Sequence, residues 1–395
     1  MVVWIQNPFD SLPLEGSRKM RYWLMCEAFA RAGWRVLLFT SDFSHATKRA
    51  RSARGGKVEK WKGGKGDGGF EVLFIPTRPY SRNVSFARIA SHRAYARTWL
   101  KKSEDPALPR PDLIVASMPT ISGASAALRL GRRFGAKVVV DVQDAWPETF
   151  ERLVPRFALW PLRRAARRIY RDADLVTGVC SRYRELTGRG DYYLAYHGIE
   201  TRTDLATDFT DCHGLKIDAS PAHSIIRPFD YSIISHLVYS GNLGRSYDLQ
   251  TLVSVVEADP RLTLDVAGFG AFSSSCPRIK FHGFLSEADL QSLFAACDIG
   301  VVPMAPDSWV GIPNKFADYS RAGLRIVSSL GGESSALLEK YRCGATYRVG
   351  DAASLASAIA AASSLSSAAS REMCEREFDA TKIYDAYVSR VQRLL

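Results

Sequence analysis

Short apolar runs recur along this chain with room for a helix between each pair, and that alternation restricts the fold more than any single residue does. In the first half the runs of strand character are Val2–Ile5, Trp34–Thr40, Glu71–Ile75, Asp112–Ser117, Lys137–Val142, Leu175–Val179 and Tyr192–Tyr196. In the second half they are Ser232–Tyr239, Leu262–Ala267, Ile279–His282, Ile299–Val302, Arg325–Ser328 and Ala345–Val349. Several are unbroken Val/Ile/Leu runs, the pattern of parallel strands covered on both faces. Strands alternating with helical segments build right-handed βαβ units. Two such series in 395 residues predict an α/β protein with two Rossmann-like, doubly wound parallel-sheet domains, each with its own core.

The junction falls at residues 201–230, a polar stretch with two prolines and no clear period, read as a linker or insertion. It separates a domain over 1–200 from one over 231–377. A closing helix over 378–395 carries Ile383, Tyr384, Tyr387, Val388 and Val391 on one side and is expected to pack back on the first domain. Residues 54–69, rich in Gly and Lys, read as a solvated loop. They hold no P-loop, because Gly-Lys is not followed by Ser or Thr. The Ala/Ser-rich stretch 352–370 suits a surface helix.

The net charge of +12 is lopsided. Residues 1–200 carry 35 Lys and Arg against 19 Asp and Glu, and the remainder 18 against 22. A basic first half attracts an anionic partner: nucleic acid, an acidic membrane surface or a phosphorylated acceptor. A nucleic-acid binder needs an aromatic-studded basic strand surface or a recognition helix, and the sequence offers neither. Arg49, Arg51, Arg54, Arg82 and Arg88 add to this field. The stretch Phe157–Tyr170 is a basic helix with Leu162, Ala165, Ala166 and Ile169 roughly opposite Arg163, Arg164, Arg167 and Arg168. It suits either an anionic membrane surface or a sheet-packing helix with a solvated arginine face. The seven cysteines are odd in number, scattered and never at metal-ligand spacing, which fits reduced thiols in a cytosol. No apolar run approaches the roughly 18 residues of a membrane span, and Met1–Asp10 lacks the pattern of a signal peptide. The expected location is cytoplasmic, with peripheral contact at the inner face of the cell membrane.

In open α/β sheets, ligands bind outside the carboxyl ends of the strands. The unusual residues gather there in both halves. They are Asn7–Asp10 followed by Glu15-Gly16-Ser17-Arg18, then Asp141–Glu148 with Asp144 and Trp146, and Tyr196-His197-Gly198. In the second half they are Ser240-Gly241-Asn242-Leu243-Gly244-Arg245, Gly268-Phe269-Gly270 and the stretch Pro303–Lys315 with Ser308, Gly311 and Ile312. This distribution predicts a site in a central cleft between two facing domains.

The segments YSGNLGRSYDLQTL (239–252), LDVAGFG (264–270), IKFHGFLSEADLQSLFAACDIGVVPM (279–304) and PNKFADYSRAGLRIVSS (313–329) resemble the donor domain of family 4 glycosyltransferases with the GT-B fold. Residues 7–45, 111–119 and 141–148 are similar to the acceptor domain of its bacterial surface-polysaccharide branch. The resemblance implies retaining transfer from a nucleotide diphosphate sugar, with UDP as the expected nucleotide, and needs neither metal nor cofactor. It puts Arg245 and Lys315 on the cation pair that stabilises the departing diphosphate, and Gly16 beside the phosphates. Ser240, Gly241, Asn242, Gly244, Gly268, Phe269, Gly270, Ser308, Gly311 and Ile312 complete the expected donor site, with Arg18, Asp144, Trp146 and His197 on the acceptor side.

One departure stands out. The family often has two glutamates eight positions apart, and here those positions are Val310 and Asp318. A valine cannot hydrogen-bond a sugar. The implied acceptor is a lipid-linked or polysaccharide saccharide, with no nucleic-acid partner. The alternatives are a nucleotide-sugar 2-epimerase, which needs acid/base carboxylates and histidine in the cleft, and a glycosyltransferase-like scaffold without activity. Asp172-Ala173-Asp174, the nearest approach to a metal-holding acidic motif, precedes a strand, where a solvated helix terminus accounts for it.

Overall fold

The computed structural model describes residues 1–51, 58–61, 69–83, 85–151, 154–201, 235–244, 247–305 and 308–395, with backbone alone for 58–61. The first sheet holds β1 (Val2–Gln6), β2 (Arg35–Ser41), β3 (Val58–Trp61), β4 (Phe70–Ile75), β5 (Leu113–Met118), β6 (Lys137–Val142), β7 (Leu175–Gly178) and β8 (Tyr193–Leu194). Their order is β3-β4-β2-β1-β5-β6-β7-β8, and every pairing but β3–β4 is parallel. The second sheet holds β9 (Ser235–Ser240), β10 (Leu262–Ala267), β11 (Ile279–Gly283), β12 (Ile299–Val302), β13 (Arg325–Ser328) and β14 (Gly344–Thr346). It is wholly parallel, in the order β11-β10-β9-β12-β13-β14.

Helices cover both faces of each sheet, as buried strands demand: Leu113 to Ala116 are inaccessible to solvent. In the first domain they are α1 (Arg21–Arg31), α2 (Phe86–Lys102), α3 (Ile121–Phe134), α4 (Trp160–Asp172) and α5 (Tyr183–Thr187). In the second they are α6 (Leu249–Ala258), α7 (Glu287–Ala295), α8 (Asn314–Ala322), α9 (Glu333–Tyr341), α10 (Ala352–Ser363) and α11 (Ser367–Met373). The last helix, α12 (Ala380–Gln392), packs on α1, with Tyr387 edge-on to Phe29 at 6.4 Å. The chain leaves the first domain and returns to it side by side. Ile199 N–H donates to Phe378 O and Ala380 N–H to Ile199 O, at 2.8 and 3.0 Å.

Both sheets reverse direction at their centre. From β1 the chain goes to β2 on one side and later to β5 on the other; from β9 it goes to β10 and later to β12. The crevice at such a switch point is where an open sheet binds ligand. The loops after β1, β9 and β12 open there, and they are the loops with the unusual residues.

One reading changes, one lies outside the described residues, and one open choice narrows. Residues 54–69 are not wholly loop, because Val58–Trp61 forms an antiparallel edge strand on β4. Its apolar–charged–charged–apolar pattern is short and sits between Gly/Lys stretches that drown the strand signal. Of the junction over 201–230, all but Thr201 lies outside the described residues. The basic helix α4 is a sheet-packing helix. Its apolar face (Ala166, Ile169, Tyr170) is buried, and Arg163 turns to Glu148 and Glu151. No single helix among the described residues is long and apolar enough to cross a membrane.

Candidate active site

Lys315 sits in the first turn of α8, just after Pro313, whose fixed φ suits a helix start. Its side chain runs under the loop after β9. The ammonium lies 4.2 Å from the centre of the Tyr247 ring and 4.8 Å from that of Tyr239. Two aromatic faces attract a cation but do not neutralise it. Lys315 is only 8% exposed, and no carboxylate among the described residues pairs with it. Burial pushes its pKa down to about 8, and Asp318, one turn along, offsets this only in part.

Glycine geometry makes the space above the ammonium. Gly241 follows β9 at φ 138°, and a Cβ there would lie 2.9 Å from the Lys315 Nζ. Gly268 follows β10 at φ 145°, and a Cβ there would collide with Gly241 O. The two strand-end loops thus meet backbone to backbone, with Gly241 N–H donating to Ala267 O at 2.8 Å. A Gly268→Ala substitution adds strain to a collision that no side chain can relieve. It should cost about 2–5 kcal/mol, read as a lower urea midpoint with an unchanged slope.

Other residues expected at the donor site fall around this centre. Ser240 N–H donates to the Tyr319 hydroxyl at 2.9 Å, and the Asn242 carbonyl accepts from the Tyr239 hydroxyl at 2.6 Å. Gly270 is tight against Leu243, and Asn242 Oδ1 lies over Gly244. Phe269 and Phe284 are exposed at the ends of β10 and β11, rings 6.5 Å apart. Asn314 Oδ1 is buried beside Lys315 with no hydrogen-bond partner among the described residues. Arg245 lies outside the described residues.

The first domain closes over this site. Arg18 Nη2 reaches Asp318 Oδ1 at 3.5 Å. The Arg182 guanidinium lies over the Trp309 ring at 4.2 Å and donates to Ser308 O. Gly311 abuts Cys180 with no room for a Cβ, and Ile312 is buried. Glu333, at the start of α9, accepts from Ser181 N–H at 3.0 Å and from the Tyr196 hydroxyl at 2.6 Å. Sequence reasoning missed Glu333, Tyr239 and Tyr247. Glu333 could have been flagged, since it follows Gly331-Gly332 at the end of β13, another strand-end position. The tyrosines looked like core.

In the first domain, Gly16, expected beside the phosphates, ends a short 3-10 turn at φ 75°. Arg51 holds that loop by bonding Glu15 Oε1 at 2.9 Å and Asp10 O at 2.5 Å. Arg51 is buried, so it belongs to the scaffold and not to the basic field. His197 is half-buried, and burial together with Arg21 and Arg18 drives its pKa to about 3, so it stays neutral. Beneath it, Arg21 grips Asp141 through two 2.8 Å bonds and also bonds the carbonyls of Ala195 and Tyr196. Asp144 is exposed, and Trp146 packs edge-on against Phe150 at 4.6 Å. Asp172 and Asp174 are used structurally, the first by Arg132 and Arg171, the second by Val138 N–H. A groove of about 510 Å³ between α6 and α10 is lined by Ser254, Ala258 and Ala353. Its charged residues, Asp259 and Arg261, neutralise each other, so it has no chemistry to offer.

The sequence model of the glycosyl transferase 4-like domain matches residues 20–191, and that of the glycosyl transferases group 1 matches residues 235–364. No curated protein matches the chain by sequence. Among solved structures it is similar to sucrose-phosphate synthase from Thermosynechococcus elongatus (14% identity, 100% of this chain and 98% of that one, TM-score 0.72). It is also similar to HepE of Anabaena in complex with UDP-glucose (16%, 100% and 100%, TM-score 0.62). A third is the catalytic domain of starch synthase IV from Arabidopsis thaliana bound to ADP and acarbose (12%, 100% and 99%, TM-score 0.66). With two domain models matched in order over two switch-point sheets, the chain belongs to the family 4 glycosyltransferases of the GT-B fold.

Proposed function

We infer that this glycosyltransferase moves a sugar, with retention, from a nucleotide diphosphate sugar to a lipid-linked or polysaccharide acceptor, without a metal. The observation that carries the reading is Lys315, a buried ammonium roofed by a glycine and without a counter-ion among the described residues. A diphosphate is the anion that such a site lacks. Lys315 and Arg245 are the cations that hold it as charge grows on the leaving oxygen. Asn314 Oδ1, without a partner among the described residues, can accept a hydrogen bond from a donor hydroxyl, and the exposed Phe269 and Phe284 rings offer a face for the base. UDP is the nucleotide carried over from the resemblance, in line with the UDP-glucose held by the Anabaena protein.

In the transfer, the acceptor oxygen bonds to the anomeric carbon as the bond to the diphosphate breaks. The bonding pair stays on the diphosphate, which takes the acceptor's proton. No protein base is needed, and His197, held neutral, stays a neighbour of the acceptor. Val310 forgoes a sugar contact, so Asp318 is the carboxylate in reach, tied to Arg18 until the sugar enters. The test is a thermal-shift series with UDP, GDP and ADP in EDTA. Stabilisation by one of them, absent in Lys315→Ala, supports the reading, and no stabilisation by any of them refutes it.

Peripheral membrane contact fits the outward face of α4. Arg164, Arg167 and Arg168 point to solvent, with Trp160 and Phe157 60% and 81% exposed. Each arginine at an anionic surface contributes about 1 kcal/mol. Converting all three to glutamine should weaken partition onto phosphatidylserine vesicles by roughly 100-fold, and equal sedimentation would exclude this face.

A further inference from the structure

A second group of cations in the first domain has no carboxylate bonded to it among the described residues. Arg88, in the first turn of α2, lays its guanidinium over the Phe9 ring at 5.3 Å and the Trp146 ring at 4.8 Å. Its Nη1 donates to Asn83 O at 2.9 Å, and its Nε faces His92 Nε2 at 3.4 Å. Lys48 lies over Tyr80 at 4.9 Å and donates to His45 O and Asn83 Oδ1, both at 2.6 Å. These bonded partners are all neutral; the exposed Asp144 acts on Arg88 through space, without a bond.

The neighbours adapt to this surplus of positive charge. His45 and His92 are both pushed to about 3, by burial and then by Lys48 and Arg88 for the first, by burial and then by Arg88 and His45 for the second. They stay neutral and can bond without adding charge. The rings and cations stand where β1, β2, β4 and β6 end, on the cleft side of the first sheet. Asn7 links this group to the donor-facing loop, since its Oδ1 takes both Phe9 N–H and Asp10 N–H, at 2.7 and 2.8 Å.

Cations alone would suit any anion. Tyr80 is buried behind Lys48, but Phe9 and Trp146 stay partly exposed beside Arg88, and ring surface next to a cation suits the C–H groups of a sugar. We propose that Arg88 and Lys48, walled by Phe9, Tyr80 and Trp146, hold a phosphate group attached to the acceptor sugar. The proposal rests on the glycosyl-transfer reading and assigns the acceptor's chemical class: a phosphorylated saccharide, free or on a lipid. It gives recognition of the acceptor's own phosphate to this cage, while Arg51 stays with the scaffold. The planar Arg88 fork matches phosphate oxygens bidentately, and Lys48 adds a point charge.

The probe is glucose 1-phosphate, titrated calorimetrically into the Lys315→Ala protein, so that the donor site does not contribute. Binding is expected there, and Arg88→Gln in the same background should weaken it on the order of 10–100-fold. Arg88→Lys, which keeps the charge and loses the fork, should fall between. Lys48→Gln should weaken it by about tenfold. Glucose itself should bind at least roughly tenfold more weakly than its phosphate. Phosphatidylcholine vesicles with and without an isoprenyl phosphate give the second arm. Capture only with the isoprenyl phosphate, lost in Arg88→Gln, assigns the lipid source, and binding of the soluble sugar phosphate alone assigns the free one. UDP stabilisation of the Arg88→Gln protein, with Lys315 intact, keeps the donor reading separate and checks folding. Equal affinities for wild type and Arg88→Gln, or no binding of either phosphate probe, overturn the proposal.

Discussion

Replacing Lys315 with methionine should make the empty protein more stable at pH 7 while removing its response to nucleotide. The folded pKa is lowered from 10.5 to about 8, so the native state prefers the neutral amine. Below pH 8 the lysine is charged in both folded and unfolded chains, and the native state bears the full cost of burying it. A pKa lowered by one corresponds to about 1.4 kcal/mol, which makes the cost here about 3 kcal/mol. The cost fades as pH rises from 8 towards 10.5, so wild type and Lys315→Met should converge there. Methionine fits the same channel without charge, and a gain of about 2–3 kcal/mol is expected after the lost cation–π contacts are deducted. Function moves the other way. A diphosphate supplies the missing counter-charge, so wild type should gain about 2.7 kcal/mol at a hundred times its dissociation constant, and Lys315→Met nearly none. Because the free lysine loses its proton near pH 8, nucleotide affinity should fall towards alkaline pH by up to about tenfold for each further pH unit. An empty protein less stable than its charge-free variant, yet tightened by ligand, is what an uncompensated charge at a binding site produces. Urea unfolding at pH 7 and pH 10, with and without UDP, measures all three effects.

The second large effect lies at Arg21 and Asp141. Both are almost wholly buried, at 1% and 0% side-chain exposure. Burial by itself would raise the Asp141 carboxyl. The Arg21 guanidinium and the Thr177 and Tyr22 hydroxyls outweigh it and hold the carboxyl below its ordinary range. Removing one partner leaves the other buried and uncompensated, at a cost of about 3–5 kcal/mol. Arg21→Met or Asp141→Leu should each lose that much, and the double variant should recover most of it, because the pair as a unit is nearly neutral to stability. The pH sign is fixed by the lowered carboxyl. Its stabilisation is present above about pH 4 and is lost as pH falls through the folded value. Since Arg21 also holds the carbonyls of Ala195 and Tyr196, the same loss should loosen the segment that carries His197 and the Tyr196–Glu333 contact between domains. Urea midpoints of the two single variants and the double variant, at pH 7, measure the coupling.

Much of the fold was legible because burial on both faces writes itself into the sequence. Lys137–Val142, Leu262–Ala267, Ile299–Val302 and Arg325–Ser328 keep their expected bounds. Val58–Trp61 was not legible, since an edge strand needs only one apolar side and this one is four residues long. At the site, Lys315, Gly241 and Gly268 could be placed from their positions after strands. Their meaning could not, because the unpaired charge of Lys315 and the backbone-to-backbone approach at Gly268 are facts of packing. The arginines of the first half look alike in sequence. Arg51 and Arg21 are spent inside the domain, Arg163 is paired, and Arg88 stands between two aromatic rings without a bonded acid among the described residues. Only tertiary contacts separate these roles.

The central claim is a metal-free nucleotide diphosphate site built on Lys315, and calorimetric titration of UDP in EDTA tests it most directly. The account predicts binding to wild type that magnesium does not improve, with proton uptake at and just above pH 8 as Lys315 is recharged, and loss of both in Lys315→Ala. Binding that requires magnesium, or that persists with unchanged affinity in Lys315→Ala, would contradict it.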